Sequence, residues 1–327
     1  MNSKRKLLAA ITLLGLSCAI GVPAHAQDDS FPNKPIRIIV GLAPGASTDT
    51  GARLLAQSLS ERTGKSFVVE NKVGAGSTIA ASFVAKSAPD GYTLFLGTGS
   101  YATGAVLYKN LNFDPDNAFV PITQINRFPQ AIAVSAGSDI KDLKDLIKLA
   151  KADPGLIMYG STGHGGQAHL TGELFTQLTS AHMTHVAYRG AGPAIMELIS
   201  GRIPVVFADL FSLMPHVKQG TVRVLAVTRG ERAQIAPDIP TTKEQGIDGL
   251  DVSAWLGLFA PKGTPQANID WIQQQVAAAL ADPELARKMV ESGAEVVAST
   301  PQQFADFFQR ELSVYRDVAT RANITMD

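Results

Sequence analysis

Cysteine is almost missing from this chain of 327 residues, which contains only Cys18. A single cysteine cannot form an intramolecular disulfide, so the fold must be held together by its apolar core. Hydrophobic residues make up 45% of the sequence. At this length, that content is enough for a large core and commonly for two domains.

An excess of one charge is missing too, since 29 lysines and arginines are balanced by 29 aspartates and glutamates. Nucleic acids and anionic membranes attract strongly basic surfaces, so we expect neither as a partner. After the first 26 residues, no stretch approaches the apolar length that a membrane helix needs. These absences favour a soluble protein.

The motifs of common catalytic sites are missing as well. Ser161 lacks the G-x-S-x-G context of a nucleophile elbow, no Walker sequence occurs, and Gly74 and Gly76 do not continue into a dinucleotide fingerprint. We therefore expect a protein that is not an enzyme and that needs no cofactor. A secreted hydrolase that uses Ser161 with His164 or His169 is the alternative from that class.

Four histidines lie close together in the sequence: His164, His169, His182 and His185. They lack the H-E-x-x-H spacing of many zinc enzymes, and no cysteine lies near them as a further ligand. Histidines that cap helices or pack in a core are more common than metal ligands. We therefore expect no metal site.

The N-terminal residues have the pattern of a secretory signal. Basic residues at 4–6 precede an apolar run at 7–20, and Ala-His-Ala at 24–26 fits the small-x-small rule for cleavage. We expect residues 1–26 to be a signal peptide that is cleaved before Gln27. Cleavage there would leave an exported chain without cysteine.

A short apolar strand leads through a glycine turn into the start of a helix. Isoleucine and valine dominate 36–40, as is typical of a buried parallel strand, and the turn at 41–46 contains Pro44 and Gly45. The next three residues, Ser-Thr-Asp, can all cap a helix. Unpaired N–H groups and the positive end of the helix dipole favour an anion at such a place. An anion site and an ordinary first βα turn both fit this stretch.

A second glycine-rich turn, G-S-T-G-H-G-G at 160–166, follows another short strand. Glycine loses more backbone entropy on folding than other residues do, so its repeated use suggests that the backbone must approach a ligand closely. Ser161, Thr162 and His164 add polar side chains to the turn. A ligand-binding loop is therefore favoured over a plain connection.

Strands alternate with helices along the chain, which predicts an α/β fold with doubly wound parallel sheets. Two lobes are expected, one formed by residues 27–125 together with 252–327 and the other by residues 126–251, because the late strand and the terminal helices need a sheet to pack against. Two separate strands, at 121–125 and 131–134, are expected on either side of a break.

Several motifs, in this order, resemble those of the substrate-binding proteins of tripartite tricarboxylate transporters, the Bug family. They are P-I-R-I-I-V-G-L-A-P-G-A-S-T-D-T-G-A-R at 35–53, V-V-E-N-K-V-G-A-G at 68–76, A-P-D-G-Y-T-L at 88–94, L-N-F-D-P at 111–115, the glycine turn at 160–170, A-Y-R-G-A-G-P-A at 187–194, F-A-D at 207–209 and W-L-G-L-F-A-P-K-G-T-P at 255–265. The resemblance covers nearly the whole chain after residue 26.

The resemblance implies a type II periplasmic binding fold with a ligand cleft between two lobes. It implies a periplasmic, monomeric protein that captures a small carboxylate and delivers it to the permease subunits of a membrane transporter. The ligand-binding residues that it implies are Ala43, Pro44, Gly45, Ala46, Ser47 and Asp49 in the first turn and Ser161, Thr162, His164, Gly166 and Asp209 in the second lobe. Thr98, Ser100 and Tyr101, after the third strand, are further candidates for ligand binding. A ligand-sensing subunit of a membrane kinase is the alternative within the same fold.

The identity of the ligand is less constrained, because this chain departs from the family pattern at Ala46, at Tyr101 and at Ala187. The cleft motifs contain no arginine, unless Arg127 or Arg189 turns inward, so the third charge of citrate would be unpaired. We therefore expect a dicarboxylate such as a C4–C8 diacid. If Tyr101 and Phe128 line the cleft rather than the core, an aromatic acid such as terephthalate is also expected to fit.

Overall fold

The computed structural model describes residues 31–45, 47–291 and 293–326. The expected signal peptide and Ala46 therefore lie outside the described residues. The strands are β1 (Ile36–Val40), β2 (Phe67–Asn71), β3 (Thr93–Thr98), β4 (Phe119–Ser135), β5 (Met158–Ser161), β6 (Thr184–Ala187), β7 (Val205–Asp209), β8 (Val222–Val227), β9 (Ser253–Pro261) and β10 (Glu295–Val296). The α-helices are α1 (Ser47–Thr63), α2 (Thr78–Ala85), α3 (Gly99–Leu107), α4 (Leu143–Ala152), α5 (Gln167–Thr179), α6 (Ala191–Ile199), α7 (Leu210–Lys218), α8 (Gln266–Leu280), α9 (Pro283–Glu291) and α10 (Pro301–Arg321).

The chain from Lys34 onward forms one compact unit. Its strands hydrogen-bond in the order β2-β1-β3-β9-β4-β7-β5-β6, and β8 and β10 also pair with β4. β1 is parallel to β2 and β3, and β5 is parallel to β6 and β7. β9 runs antiparallel to β3 and β4, and β4 runs antiparallel to β7 and β8. Each half is therefore a mixed sheet, with its antiparallel strands where the halves join.

The long strand β4 belongs to both halves. Its residues 119–129 pair with β9, and its residues 130–135 pair with β7 and β8. We call β1, β2, β3, β9, β10 and residues 119–129 the first lobe, and β5 to β8 with residues 130–135 the second lobe. The predicted break between two strands is wrong, because the chain changes its pairing partner at Gln130 instead of ending the strand.

The sequence pattern did not predict α3, because Gly99 and Gly104 are poor helix formers. Tertiary packing explains both residues. A Cβ on Gly104 would lie 3.0 Å from the carbonyl oxygen of Gly76, and a Cβ on Gly99 would lie 2.7 Å from Oε1 of Gln167. The two glycines therefore allow α3 to approach a neighbouring turn and the start of α5.

An apolar core runs from the first lobe into the second. Tyr101 on α3 packs edge-on against Phe95 and Phe259 and stacks on Phe308 of α10, with centroid distances of 4.9, 6.2 and 5.8 Å. The helix α10 packs against α3 and β4 and also against α5 of the second lobe. Both lobes therefore rest on the same C-terminal helix.

The start of α10 is fixed by a capping box. Thr300 accepts a hydrogen bond from the N–H of Gln303, and the Gln303 side chain accepts one from the N–H of Thr300. Pro301 occupies the first turn, where its missing N–H costs nothing. Among the described residues, no helix combines the length and the apolar character needed to cross a membrane.

Candidate functional site

A cleft of about 500 Å³ opens between the lobes, where strands of both sheets end. The ends of β1 and β3 reach it from the first lobe, and those of β5 and β7 reach it from the second. β4 and β9 cross beneath it. Its lining residues are Leu42, Thr48, Thr98, Gly99, Ser100, Phe128, Gln130, Thr162, Gly166, Gln167, Ala168, Asp209, Phe211, Ser212, Ala254, Trp255 and Leu256.

Four helices begin at this cleft: α1 and α3 from the first lobe, and α5 and α7 from the second. The first N–H groups of a helix have no partner inside the helix, and the helix dipole makes that end positive. Among the described residues, the Thr98 side chain makes no capping hydrogen bond at the start of α3, and Gly166 at the start of α5 has no side chain to make one. These two helix starts therefore have backbone N–H groups available for an anion.

The start of α7 is satisfied from within the protein. The Asp209 carboxylate accepts hydrogen bonds from the Ser212 N–H at 2.8 Å and from the Ser212 hydroxyl at 3.0 Å. A carboxylate at a helix start is favourable because of the dipole. Asp209 consequently brings a negative charge to the cleft wall of the second lobe.

Two buried polar atoms of the cleft wall have no hydrogen-bond partner among the described residues. They are Oγ1 of Thr98 and Oε1 of Gln130. An unsatisfied buried polar atom costs about 1–3 kcal/mol, so such atoms usually meet a ligand or an ordered water. The sequence predicts a binding role for Thr98 but not for Gln130. A glutamine at the start of the apolar segment A-I-A-V is the signal that would have identified it.

Aromatic side chains also line the cleft, but Tyr101 is not one of them. Phe128, Phe211 and Trp255 contribute to the wall. The ring of Tyr101 is fully buried in the first-lobe core. The sequence does not decide whether Tyr101 and Phe128 line the cleft or the core. In the structure, Phe128 lies at the cleft and Tyr101 lies in the core, where aromatic partners surround it.

The first glycine turn is anchored by Asp49. The carboxylate accepts hydrogen bonds from the Gly45 N–H at 2.9 Å, from Arg53 Nε at 2.9 Å and from Asn71 Nδ2 at 2.8 Å. The hydrogen bond from Arg53 is the main reason why the pKa of Asp49 is lowered to about 2, although burial opposes it. Asp49 thus shapes the turn rather than lining the cleft, and Ala43, Pro44 and Gly45 are exposed beside it.

The second glycine turn is anchored by Ser161. Its Oγ accepts a hydrogen bond from the Gly163 N–H at 3.2 Å and lies 2.7 Å from Nε2 of His185. The side chain has no exposed surface. A serine nucleophile must be reachable by its substrate, so this arrangement argues against the hydrolase alternative. The partner of Ser161 is also His185, and not His164 or His169.

Three of the four neighbouring histidines meet behind the second turn. The rings of His169 and His185 are stacked, with a centroid distance of 3.6 Å, and His164 lies 5.0 Å from His169. Burial lowers the pKa of His169 to about 3 and that of His185 to about 4, and repulsion between the rings adds to the shift. Both inner rings are therefore neutral at pH 7, and His182 lies outside the cluster.

A hydrogen-bond chain connects the two lobes beneath the cleft. Gln167 Nε2 on α5 donates to the Ser253 carbonyl at 2.7 Å and to the Tyr315 hydroxyl at 2.8 Å. Tyr315 donates to Glu311, which also accepts a hydrogen bond from Trp255 Nε1 at 2.8 Å. Burial raises the pKa of Glu311 to about 7. Sequence reasoning missed this group, since its members lie far apart along the chain.

The structure therefore divides the residues that sequence reasoning proposed. Thr98, Ser100, Thr162, Gly166 and Asp209 line the cleft. Ala43, Pro44 and Gly45 lie at the first turn, Asp49 and Ser161 lie beneath the turns, Tyr101 is in the core and His164 is at the histidine cluster. The side chain of Ser47 lies outside the described part of the chain.

Comparison with known proteins agrees with this architecture. The family model described as tripartite tricarboxylate transporter family receptor matches residues 51–324. Protein BugT of Bordetella pertussis is 33% identical over 327 residues, which cover 98% of this chain and 99% of BugT.

Two solved structures are similar over most of the chain. Rpa4515 of R. palustris, solved with adipate, is 33% identical with a TM-score of 0.74, covering 90% of this chain and 99% of that one. MatC from Rhodopseudomonas palustris, solved with bound malate, is 30% identical with a TM-score of 0.71, covering 88% and 99%. The chain therefore belongs to the tripartite tricarboxylate transporter receptor family, whose members are two-lobed periplasmic solute-binding proteins and not enzymes.

Proposed function

We propose that this protein binds a dicarboxylate in the cleft, with one carboxylate held by each lobe. The observation that carries the proposal is the pair of uncapped helix starts, α3 in the first lobe and α5 in the second. Each offers unpaired N–H groups at the positive end of a helix, which is the usual setting for a bound carboxylate or phosphate. One uncapped helix start in each lobe suits a ligand with an anionic group at each end.

One unpartnered atom of the cleft wall supports the same proposal. Thr98 Oγ–H can donate to a carboxylate oxygen, whereas Oε1 of Gln130 only accepts and needs a donor such as an ordered water. Phe128, Phe211 and Trp255 give an apolar surface for the part of the ligand between its charged ends. A diacid of four to eight carbons, aliphatic or aromatic as in terephthalate, has this distribution of charged and apolar groups. The adipate and malate found in the two related structures are both diacids.

The charge of the cleft argues against citrate. No lysine or arginine is among the described residues that line it. Arg127 donates instead to Glu295 at 3.0 Å, and Arg189 is exposed outside the lining. Asp209 adds a negative charge, so a third carboxylate would be unpaired and repelled. The negative charge of Asp209 would attract the ammonium group of an acidic amino acid. Binding of acidic amino acids is therefore the informative comparison with binding of diacids.

Transport is the role that we propose for ligand binding, with delivery to the permease subunits of a tripartite tricarboxylate-type transporter. The protein is proposed to act in the periplasm as a monomer, after removal of residues 1–26. The first and second lobes would close over the ligand by rotating as rigid bodies. Co-purification with a permease rather than a sensor kinase would separate transport from signalling.

The experiment is a calorimetric titration with adipate, succinate, terephthalate, glutamate and citrate. Binding of at least one diacid is expected, with citrate weaker. Thr98→Val should weaken diacid binding by roughly ten- to a hundredfold, because a hydrogen bond to a charged group contributes about 1.5–3 kcal/mol. The matched control is Thr176→Val, which removes another buried hydroxyl, away from the cleft, that has no hydrogen-bond partner in the described part of the chain.

Two outcomes would contradict the proposal. Binding of citrate in preference to every diacid would contradict the charge argument. An equal loss of affinity in Thr98→Val and Thr176→Val would contradict the assignment of the cleft wall, since only Thr98 is expected to touch the ligand.

A further inference from the structure

The cluster of His164, His169 and His185 lies beside the glycine turn and has no part in the proposed carboxylate site. One nitrogen of each ring lies within 4.8 Å of the other two. His169 is buried, His185 is half-buried and His164 is exposed. The cluster thus extends from the interior to the surface, and an ion from solvent can reach it on the side of His164.

The two inner rings each have an oxygen near one nitrogen. Nε2 of His185 is 2.7 Å from Ser161 Oγ, and Nε2 of His169 is 3.8 Å from Glu173 Oε1. The Tyr159 hydroxyl donates to the same Glu173 oxygen at 2.6 Å and holds it in place. Metal-binding histidines commonly direct the N–H of their second nitrogen to such an oxygen, which leaves the other nitrogen free for the ion. Ser161 Oγ is at hydrogen-bond distance from His185 for this role, and Glu173 Oε1 lies just beyond that distance from His169.

We propose that His164, His169 and His185 bind one divalent transition-metal ion of the Zn²⁺, Ni²⁺ and Cu²⁺ class. Imidazole nitrogens suit these ions, whereas Mg²⁺ and Ca²⁺ take oxygen ligands. The Nδ1 atoms of His169 and His185 are the inner ligands, and water completes the coordination. Three protein ligands with one open position are also the arrangement of many zinc sites that exchange a water molecule.

Metal binding requires two local rearrangements. The His169 and His185 rings are stacked within 10° of parallel, so they must rotate about their Cβ–Cγ bonds before their in-plane lone pairs converge on one ion. In addition, His169 Nδ1 accepts a hydrogen bond from the Gly165 N–H at 3.0 Å, and the ion replaces this donor. The site is therefore coupled to the turn at 163–166.

The test is a titration of the tag-free protein with Zn²⁺ in competition with a chelating dye, repeated with Cu²⁺. One site per chain is expected. His164→Ala, which removes an exposed ligand, should weaken Zn²⁺ affinity by roughly tenfold or more, and Glu173→Gln should weaken it by about 10–100-fold. The matched control is His182→Ala, an exposed histidine outside the cluster, which should leave the affinity unchanged.

Nuclear magnetic resonance supplies an independent measurement. Saturating Zn²⁺ should shift the amide signal of Gly165, which loses its acceptor, and should leave the signal of Gly45 in the first turn unchanged. The absence of a saturable site would overturn the proposal, as would equal affinities of His164→Ala and His182→Ala. An unshifted Gly165 signal under saturation would overturn it as well. None of these results depends on which carboxylate binds in the cleft.

Discussion

The two glycine turns that border the cleft are similar in sequence but are held in place by different interactions. In the first lobe, the charged carboxylate of Asp49 accepts hydrogen bonds from Gly45 in the turn and from Arg53. In the second lobe, the neutral groups of Ser161 and His169 accept hydrogen bonds from amides of the turn. The same kind of βα turn can thus be anchored by an ion pair or by neutral hydrogen bonds.

This difference determines how each turn responds to its surroundings. A carboxylate anchor with a pKa of about 2 stays charged over the physiological range. An imidazole anchor must stay neutral, and folding keeps it so by lowering the pKa of His169 and of His185. We therefore expect mild acid to destabilise the second turn before the first. Salt is expected to destabilise only the first turn.

The largest expected effect is a loss of stability in mild acid that originates in the second lobe. The folded-state pKa values of His169 and His185 are about 3 and 4, below the unfolded value of 6.5. Their stabilising contribution is complete above pH 6.5 and is lost as the pH falls towards the folded values, because the unfolded chain takes up protons first. The loss that the two histidines cause between pH 7 and pH 5 should be on the order of 2–4 kcal/mol, measured by urea unfolding of Glu311→Gln.

The stability contribution of Glu311 changes with pH in the opposite direction. The contribution of the histidines is therefore measured in a variant without this carboxyl group. Its folded-state pKa of about 7 exceeds the unfolded value of 4.5, so its contribution is complete below pH 4.5 and is lost as the pH rises towards 7. The acid loss should therefore be larger in Glu311→Gln than in the natural protein. Adding His185→Gln to Glu311→Gln should reduce the loss of stability in acid. If the pH profile stays unchanged after this addition, the histidines do not cause the loss.

Breaking the anchor of the first turn should have the next largest effect. Asp49→Asn removes the charge that Arg53 and the Gly45 N–H bind, and hydrogen bonds to a charged group contribute about 1.5–3 kcal/mol each. The free energy of unfolding should fall by about 1.5–3 kcal/mol. Asp116→Asn is the control, since Asp116 pairs with Arg316 at the surface and such pairs contribute about 0–1 kcal/mol. Equal losses in both variants would contradict the anchoring role of Asp49.

Removing the anchor of the second turn should cost about as much or slightly less. Ser161→Ala leaves the Gly163 N–H and His185 without their buried partner, which costs about 1–3 kcal/mol. Ser200→Ala removes an exposed hydroxyl that donates to the Glu197 carbonyl, and its effect should stay within about 0.5 kcal/mol. Chemical unfolding of both variants measures the difference. If Ser161→Ala is as stable as Ser200→Ala, the second turn is held by other contacts.

The smallest loss of stability should come from replacing Arg53, the exposed partner of Asp49. The side chain of Arg53 is 51% exposed, so Arg53→Gln should cost less stability than either Asp49→Asn or Ser161→Ala. The cost should shrink further in high salt, since salt screens exposed charges. No salt dependence is expected for Ser161→Ala, because its partners are neutral. A salt-independent loss in Arg53→Gln would show that packing rather than charge gives Arg53 its role.

Much of the fold was accessible from the sequence because local patterns encode it. The isoleucine run of β1, the turn after it and the start of α1 follow from hydrophobic periodicity and capping residues. The continuity of β4 was not accessible, because Pro129 suggests a break and only pairing with β9 carries the strand through it. The helix α3 was not accessible for a similar reason. Its glycines are explained only by the close approach of neighbouring segments, which the sequence does not show.

The sequence by itself determined the family, the two glycine turns and the expectation of an anion. These features depend on motifs and backbone chemistry, which are local. Only the tertiary structure placed Tyr101 in the core, Gln130 in the cleft wall and His185 against Ser161. Each of these positions depends on which strands and helices become neighbours, and residues that are far apart in sequence come into contact only when the sheet order is set. The sequence therefore located the two glycine turns that border the cleft, and the packing of the two lobes decided which side chains face the cleft.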